Sequence, residues 1–382
     1  MVNERMIIMA YFDFAANPPV DQRVLDTYYK TTQEFYANPN SFHALGLASK
    51  HKLDEASAHI AKLMGCDQDD IIYTSGATEA NNLAIKGVCE RYKNRGKHIL
   101  ISSLEHNSIT ASVTTLTKQG FEVEVIPLDR DGRVDQDELK ELLREDTILV
   151  SIVAVDSELA ISQDIESLAH YVKEHSQAFM HVDASQAIGK CYIDYSECDL
   201  ITLTPHKFYG INGTGALIKR SNVGLIAQID GGRSTTIYRS GTPVVANVVA
   251  FDKALTLALN EEDERTQKIT AYHDDLLNFI KGYKHVHINT TKYSLPHIIN
   301  FSITDITNAR FADSLEKHQV YVSAKTSCCP ANMPSKLVFA LTHNKALALN
   351  SVRVSISHLN SADDIAAFKQ AFDLAYKETF HE

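Results

Sequence analysis

Asp199-Leu200-Ile201-Thr202-Leu203-Thr204-Pro205-His206-Lys207-Phe208-Tyr209-Gly210, running on through Ile211-Asn212-Gly213-Thr214-Gly215 to Lys219, contains two short apolar runs around a polar, glycine-bearing loop. Residues 199–203 read as one strand and 215–219 as a second, and the loop between them presents Thr204, His206 and Lys207. Some twenty residues upstream, His181-Val182-Asp183-Ala184-Ser185-Gln186 has a related form. There an apolar strand over 178–183 ends in a carboxylate, and an amide follows three positions later.

Outward from this pair, strands predicted at 71–74, 97–102, 121–127 and 147–155 alternate with helical periods at 80–92, 108–119, 136–143 and 165–175. Such alternation predicts an α/β fold: a mainly parallel sheet with helices on both faces, whose ligands sit outside the carboxyl ends of the strands. Before it, 11–19 is an extended piece stopped by Pro18 and Pro19, and a helix is expected over 44–64. Asn38-Pro39-Asn40-Ser41-Phe42-His43 between them has turn chemistry. After the polar loop 231–242, residues 243–262 read as a long helix. The remainder carries helices near 271–283, 308–318 and 362–378 and strands near 297–302, 320–323, 337–340 and 351–355, which predicts a smaller α+β domain.

At 382 residues the chain exceeds the roughly 250–300 at which single cores divide. We expect a large domain over 15–262 and a small one formed by 1–14 with 263–382. Its 37 basic and 48 acidic residues give a net charge of −11, which argues against general binding to a phosphate backbone, so no direct nucleic-acid partner is expected. The six cysteines (Cys66, Cys89, Cys191, Cys198, Cys328, Cys329) show no metal-site or secreted-framework spacing. No metal is expected, and a cytoplasmic location is. No apolar run approaches the about 20 residues of a membrane span, and residues 1–9 lack the pattern of a signal peptide.

Strand-end positions gather the candidate chemistry. Lys207 and Asp183 are the pair pyridoxal phosphate requires: the amine attaches the aldehyde, and the carboxylate keeps the pyridinium nitrogen protonated. Ser75-Gly76-Ala77-Thr78-Glu79 is a small-residue turn opening a helix, where backbone N–H groups and the helix dipole suit a phosphate, or where Ser75 or Thr78 simply caps. His106 can stack on a flat ring and move protons near neutral pH. Ser157 falls after the strand at 147–155. Arg353, on the last strand, offers the bidentate grip of a carboxylate. Lys325-Thr326-Ser327-Cys328-Cys329-Pro330 sets two thiols in a polar loop, the setting of a mobile nucleophile.

Together these motifs resemble the cysteine desulfurases of the NifS and IscS type, in the class V aminotransferase group of fold type I pyridoxal phosphate enzymes. The likeness spans about residues 11–365 and is most specific in Thr74-Ser75-Gly76-Ala77-Thr78-Glu79 and Asn82-Leu83-Ala84-Ile85-Lys86-Gly87. The resemblance implies a mainly parallel seven-stranded sheet with a smaller C-terminal α+β domain. It implies that Lys207 bears the cofactor, that Asp183 pairs with the ring nitrogen, and that Gln186 bonds the ring hydroxyl. His106 would stack on the ring, with Ser157 near the cofactor. Ala77, Thr78, Thr204 and His206 would hold the phosphate, and Thr242 would reach the phosphate of a neighbouring subunit in a homodimer. Arg353 would bind the substrate carboxylate, with Asn38 as a further substrate contact. Cys328 would take sulfur from L-cysteine, leaving L-alanine and a persulfide for a sulfur-acceptor protein, either an iron–sulfur scaffold or a tRNA-thiolation enzyme.

The chain departs from that pattern at several points. Asp156-Ser157-Glu158-Leu159-Ala160 stands where relatives have Asn-Asn-Glu-Ile-Gly, and Pro205 replaces a glycine before the His-Lys pair. Lys325-Thr326-Ser327 replaces Gly-Ser-Ala, Ala16-Asn17-Pro18-Pro19 replaces Ala-Thr-Thr-Pro, and the tail after the last helix is short. The alternatives are a pyridoxal-phosphate aminotransferase or lyase acting on another amino acid, or a degenerate paralogue with a binding role.

Overall fold

The computed structural model describes residues 9–232, 234, 236–323 and 333–380. A short strand β1 (Ala10–Tyr11) precedes helices α1 (Gln22–Glu34) and α2 (Ala44–Met64). Asp21 caps α1 by accepting the Arg23 N–H, and Gly65 closes α2 in the left-handed conformation. The chain then alternates through β2 (Ile71–Thr74), α3 (Ala77–Tyr92), β3 (His98–Ser102), α4 (Asn107–Thr117), β4 (Glu122–Ile126) and α5 (Gln136–Leu142). It continues through β5 (Thr147–Val153), α6 (Ile165–His175), β6 (Phe179–Asp183), β7 (Leu200–Leu203) and β8 (Gly215–Lys219).

Among the described residues, β2 to β8 form one seven-stranded sheet in the order β2-β8-β7-β6-β5-β3-β4. The strand β8 runs antiparallel to both its neighbours, and the other six run one way. Helices cover both faces, so the inner strands are buried on both sides and read as largely apolar runs, whereas the edge strand β4, Glu122-Val123-Glu124-Val125-Ile126, is mostly exposed or half-buried. Alternate residues nevertheless serve different layers. Ile71, Leu100, Val182 and Ile218 join a core with α1, α2, α6 and the following helix α7 (Val245–Asn260). Ile72, Ile99, Ile101 and Leu217 join a second core beneath α3 and α4.

The second lobe begins with α8 (Glu262–Ile280) and contains β9 (Val286–Ile288), β10 (Ile298–Ile303), α9 (Asn308–Lys317) and β11 (Val320–Tyr321). Helices α10 (Lys336–Thr342) and α11 (Lys345–Leu349), strand β12 (Ser351–Ser355) and helix α12 (Ala362–Phe380) complete it. β10 lies antiparallel between β9 and β12. β1 pairs with β11, which brings Ala10 and Phe12 into one apolar cluster with Ile269, Phe301, Phe368 and Phe372.

Two elements differ from the sequence expectation. Residues 337–340, expected as a strand, belong to the helix α10: the Ser335 side chain accepts the Val338 N–H at its start. Leu337 and Val338 pack against Leu104, Val153 and Ile161. The helix expected at 271–283 starts at Glu262, where an acidic first turn of Glu262, Asp263 and Glu264 meets the positive end of its dipole.

Candidate active site

The six co-directional strands end at one edge, and the segments that follow them wall a cavity of about 400 Å³. Ala77 and Thr78 arrive after β2, His106 after β3, Ser157 after β5, Asp183 and Gln186 at the end of β6, and Lys207 after β7, all as lining residues. Thr204, His206 and Arg353 line the same cavity.

Helix α3 opens without a side-chain cap: Gly76 is its N-cap, and Ser75 donates its own N–H to the Glu79 carboxylate at 2.7 Å. The first-turn N–H groups thus face the cavity with the positive end of the helix dipole, the arrangement an anionic phosphate needs. Gly215 of β8 lets the sheet close on this turn, because a Cβ there would lie 2.7 Å from Gly76 Cα. Nearby, the Thr204 hydroxyl pairs with His206 Nδ1 at 2.8 Å, and burial pushes the His206 imidazole down to about 4. It is therefore neutral at physiological pH.

Asp183 is buried, and both of its oxygens are held. Oδ1 accepts the Ser185 N–H at 3.0 Å and Oδ2 accepts from Asn81 Nδ2 at 2.8 Å. Asn81 also donates to Ser108 Oγ, which ties the carboxylate to the start of α4. His106 caps α4: its Nδ1 accepts the Ser108 N–H at 3.1 Å, and burial holds its pKa below the usual value. A neutral ring accepting at Nδ1 carries its proton on Nε2. His106 therefore serves as a helix cap and as a cavity wall at once.

Lys207 emerges from a single 3₁₀ turn, Pro205–Lys207, in which Pro205 occupies the first position. Its ammonium donates to the Ala15 carbonyl at 3.0 Å and the Ala16 carbonyl at 2.5 Å. Gln186 Nε2 shares the Ala15 carbonyl at 2.9 Å. Arg353 is buried; its Nη1 donates to the Ser157 carbonyl at 2.7 Å and its Nη2 to Asp13 at 2.6 Å. Its Nε is buried and has no partner among the described residues, and the two hydrogen bonds use only two of the five guanidinium donors, so a buried cation with donors to spare lines the cavity. The departure at Asp156 has a local account. One carboxylate oxygen accepts the N–H groups of Glu158 and Leu159 and the other that of Ile161, three donors that the single oxygen of an asparagine could not serve as well.

The donor set fits pyridoxal phosphate, with an uncapped helix end for the phosphate, a fixed carboxylate for a protonated ring nitrogen, and an amine for the aldehyde. Two expected contacts lie elsewhere. Asn38 is exposed and outside the cavity, where its side chain accepts the Asn40 N–H in a local turn. Thr242 is exposed and outside the cavity of its own chain. Cys328 and Cys329 fall outside the described residues. Sequence reasoning missed Asn81, Glu105, Lys190 and Asp13. Asn81 left one signal, an amide on the same helix face as Ala84 and Val88. Among the described residues no helix is long and apolar enough to cross a membrane, and no cluster of side chains is placed to hold a metal ion.

A family model for class-V aminotransferases matches residues 10–368. The chain is similar to cysteine desulfurase IscS of Dictyoglomus turgidum, 34% identical over 360 residues covering 93% of this chain and 91% of that one. It is also 34% identical to a NifS/IcsS protein homolog of Lactobacillus delbrueckii subsp. bulgaricus, covering 97% of each. Among solved structures, a NifS-like protein matches 98% of this chain with a TM-score of 0.90 at 29% identity, and is itself covered in full. SspA in complex with cysteine matches 92% of this chain with a TM-score of 0.80 at 26% identity, and is likewise covered in full.

Proposed function

The chain belongs to the class V aminotransferase family and is a cysteine desulfurase; from that premise we propose that Lys207 carries pyridoxal phosphate and that Cys328 receives the sulfur of L-cysteine. The observation that supports this most is the convergence of Lys207, Asp183, His106 and Arg353 on one cavity beside the uncapped end of α3. Bound there, the cofactor supplies an electron sink that stabilises a negative charge at the α-carbon of an amino acid.

The protein's own groups then have distinct tasks. Arg353 would grip the substrate carboxylate, while Asp13 and the Ser157 carbonyl hold its guanidinium in place. His106 would lie against the ring face and present Nε2–H there, its other nitrogen being committed to Ser108. Asn81 and the Ser185 N–H keep the Asp183 carboxylate aimed at the ring nitrogen. Lys207, which would hold the cofactor, would also serve as the base that takes the α-proton. The Cys328 thiolate attacks the substrate sulfur, so an S–S bond forms as the C–S bond breaks. The substrate carbon keeps the electron pair, takes a proton and leaves as L-alanine. The persulfide on Cys328 passes to an acceptor protein, an iron–sulfur scaffold or a tRNA-thiolation enzyme. Thr242 serves the phosphate of a second subunit.

With L-cysteine and a reducing agent, we expect equal amounts of alanine and sulfide. Cys328→Ala should abolish both while keeping the visible absorbance of the bound cofactor, and Cys329→Ala should keep both. Sulfide release that survives Cys328→Ala and disappears in Cys329→Ala would move the persulfide to the neighbouring thiol.

A further inference from the structure

Behind the cavity wall a second amine stands against the first. Lys190 Nζ donates to Gln186 Oε1 at 2.8 Å and contacts the Lys207 main-chain carbonyl at 3.4 Å. Gln186 Nε2 in turn donates to the Ala15 carbonyl that Lys207 Nζ also uses, so the two lysines are joined through one amide and one carbonyl. A carbonyl oxygen only accepts, so the amide atom facing Ala15 is the nitrogen and the one facing Lys190 is the oxygen. The orientation of Gln186 is thereby settled, with its nitrogen, and the second hydrogen on it, on the cavity side. The turn that brings Lys190 back beneath Gln186 depends on Gly189, whose φ is +70°, and a Cβ there would lie 2.8 Å from that of Ala258.

We propose that Lys190 is a positioning residue for the cofactor: it locks the Gln186 amide so that N–H faces the ring oxygen, and its charge biases the proton equilibrium at Lys207. The proposal rests on the cofactor reading above. The groups around Lys190 include Lys207, Cys191, His206 and His297, and Arg265 and His358 line the same small cavity. Burial pushes the Cys191 thiol up to about 11, the His206 ring down to about 4 and the His297 ring well below its usual value, which leaves all three neutral. Lys190 and Lys207 therefore stand in one buried corner. Burial first, and the charge of Lys207 second, pull Lys190 down to about 7. The mutual repulsion of adjacent lysines is a known means of tuning an amine that reacts with carbonyl groups.

The test uses the full chain loaded with pyridoxal phosphate. Lys190→Met removes donor and charge, whereas Lys190→Gln keeps a donor for Oε1 and removes the charge alone. Two readouts are taken: the dissociation constant of the cofactor, and the pH midpoint of its visible absorbance. We expect Lys190→Met to weaken cofactor binding about tenfold. Both variants should move the spectral midpoint upward by about half a unit or more, because a repelling charge has gone. Lys190→Gln should bind the cofactor within about threefold of the parent. If both variants kept the parent midpoint and affinity, the proposal would be overturned. Should Lys190→Met fail to fold, an unmoved midpoint in Lys190→Gln would overturn it alone. A parent protein that binds no pyridoxal phosphate would instead sink the cofactor reading, and this proposal with it.

Discussion

Glu105 sits directly before His106, fully buried, with one oxygen accepting the Ser102 hydroxyl and the Val153 N–H, each at 2.6 Å. The other oxygen has no partner among the described residues. Burial, reinforced by the Asp183 charge, pushes this carboxyl up to about 8. For an acid raised on folding, the stabilisation is complete below the unfolded value near ~4.3 and is lost as pH rises through the folded one. Glu105→Gln mimics the protonated form at every pH. It should melt a few degrees above the parent at pH 8.5 and with it at pH 4.5, as read by calorimetry. Parallel melting curves at both pH values would place the charge elsewhere. Glu105 was hidden in the sequence because a carboxylate in a strand-to-helix turn ordinarily faces water. Asp183, Gln186 and Lys207 stood out because they end or follow largely apolar strands, and the structure brings all three to one cavity. The partner of Arg353 was out of reach: Asp13 is 340 positions away in the chain.

The junction of β2, α3 and β8 decides whether a phosphate can sit at the sheet edge. Gly215 pairs with Thr74, and its missing side chain lets Gly76 approach; a Cβ would lie 2.7 and 2.8 Å from Gly76 backbone atoms and 3.0 Å from the Leu203 carbonyl. Backbone cannot rotate aside as a flexible side chain can, so Gly215→Ala must displace the turn that presents the Ala77 and Thr78 N–H groups. Overpacking of this kind costs about 1–3 kcal/mol. Most of that loss should fall on the holo state, with cofactor affinity reduced at least about tenfold by equilibrium dialysis. A variant that binds pyridoxal phosphate normally would show the turn to be more compliant than its packing suggests. Elements such as β8 and α6 were legible to the residue, since long periodic or uniformly apolar runs leave one option. The helix α10 was not, because Leu337-Val338-Phe339-Ala340 is too short an apolar run for period 2 and period 3.6 to differ. Its Ser335 cap is the signal that decides it.

A single chain leaves large apolar side chains exposed in two segments. Phe42 is 96% and Ile237 63% exposed, and Tyr36, Leu45, Leu47 and Val244 are exposed beside them in sequence. The two segments concerned are joined in space by the hydrogen bond from Asn40 Nδ2 to Ser234 Oγ at 2.9 Å. Exposed apolar side chains are costly to leave in water, and we propose that these two segments form an association face. Thr242 and Asn38, both outside their own cavity, lie in these same two segments. That placement supports a twofold arrangement in which each chain completes the phosphate site of the other, through a patch that contacts its own copy. Introducing charge at the centre, as in Phe42→Asp combined with Leu47→Asp, buries two carboxylates without partners if the pair still forms. The double variant should therefore run as a monomer in light scattering at micromolar concentration. Because Thr242 would then be absent from the site, cofactor affinity should fall about tenfold or more, while Thr242→Val should weaken binding without separating the subunits. A monomeric double variant that holds pyridoxal phosphate as tightly as the parent would show that each cavity is complete in one chain, and that the exposed face serves some other contact.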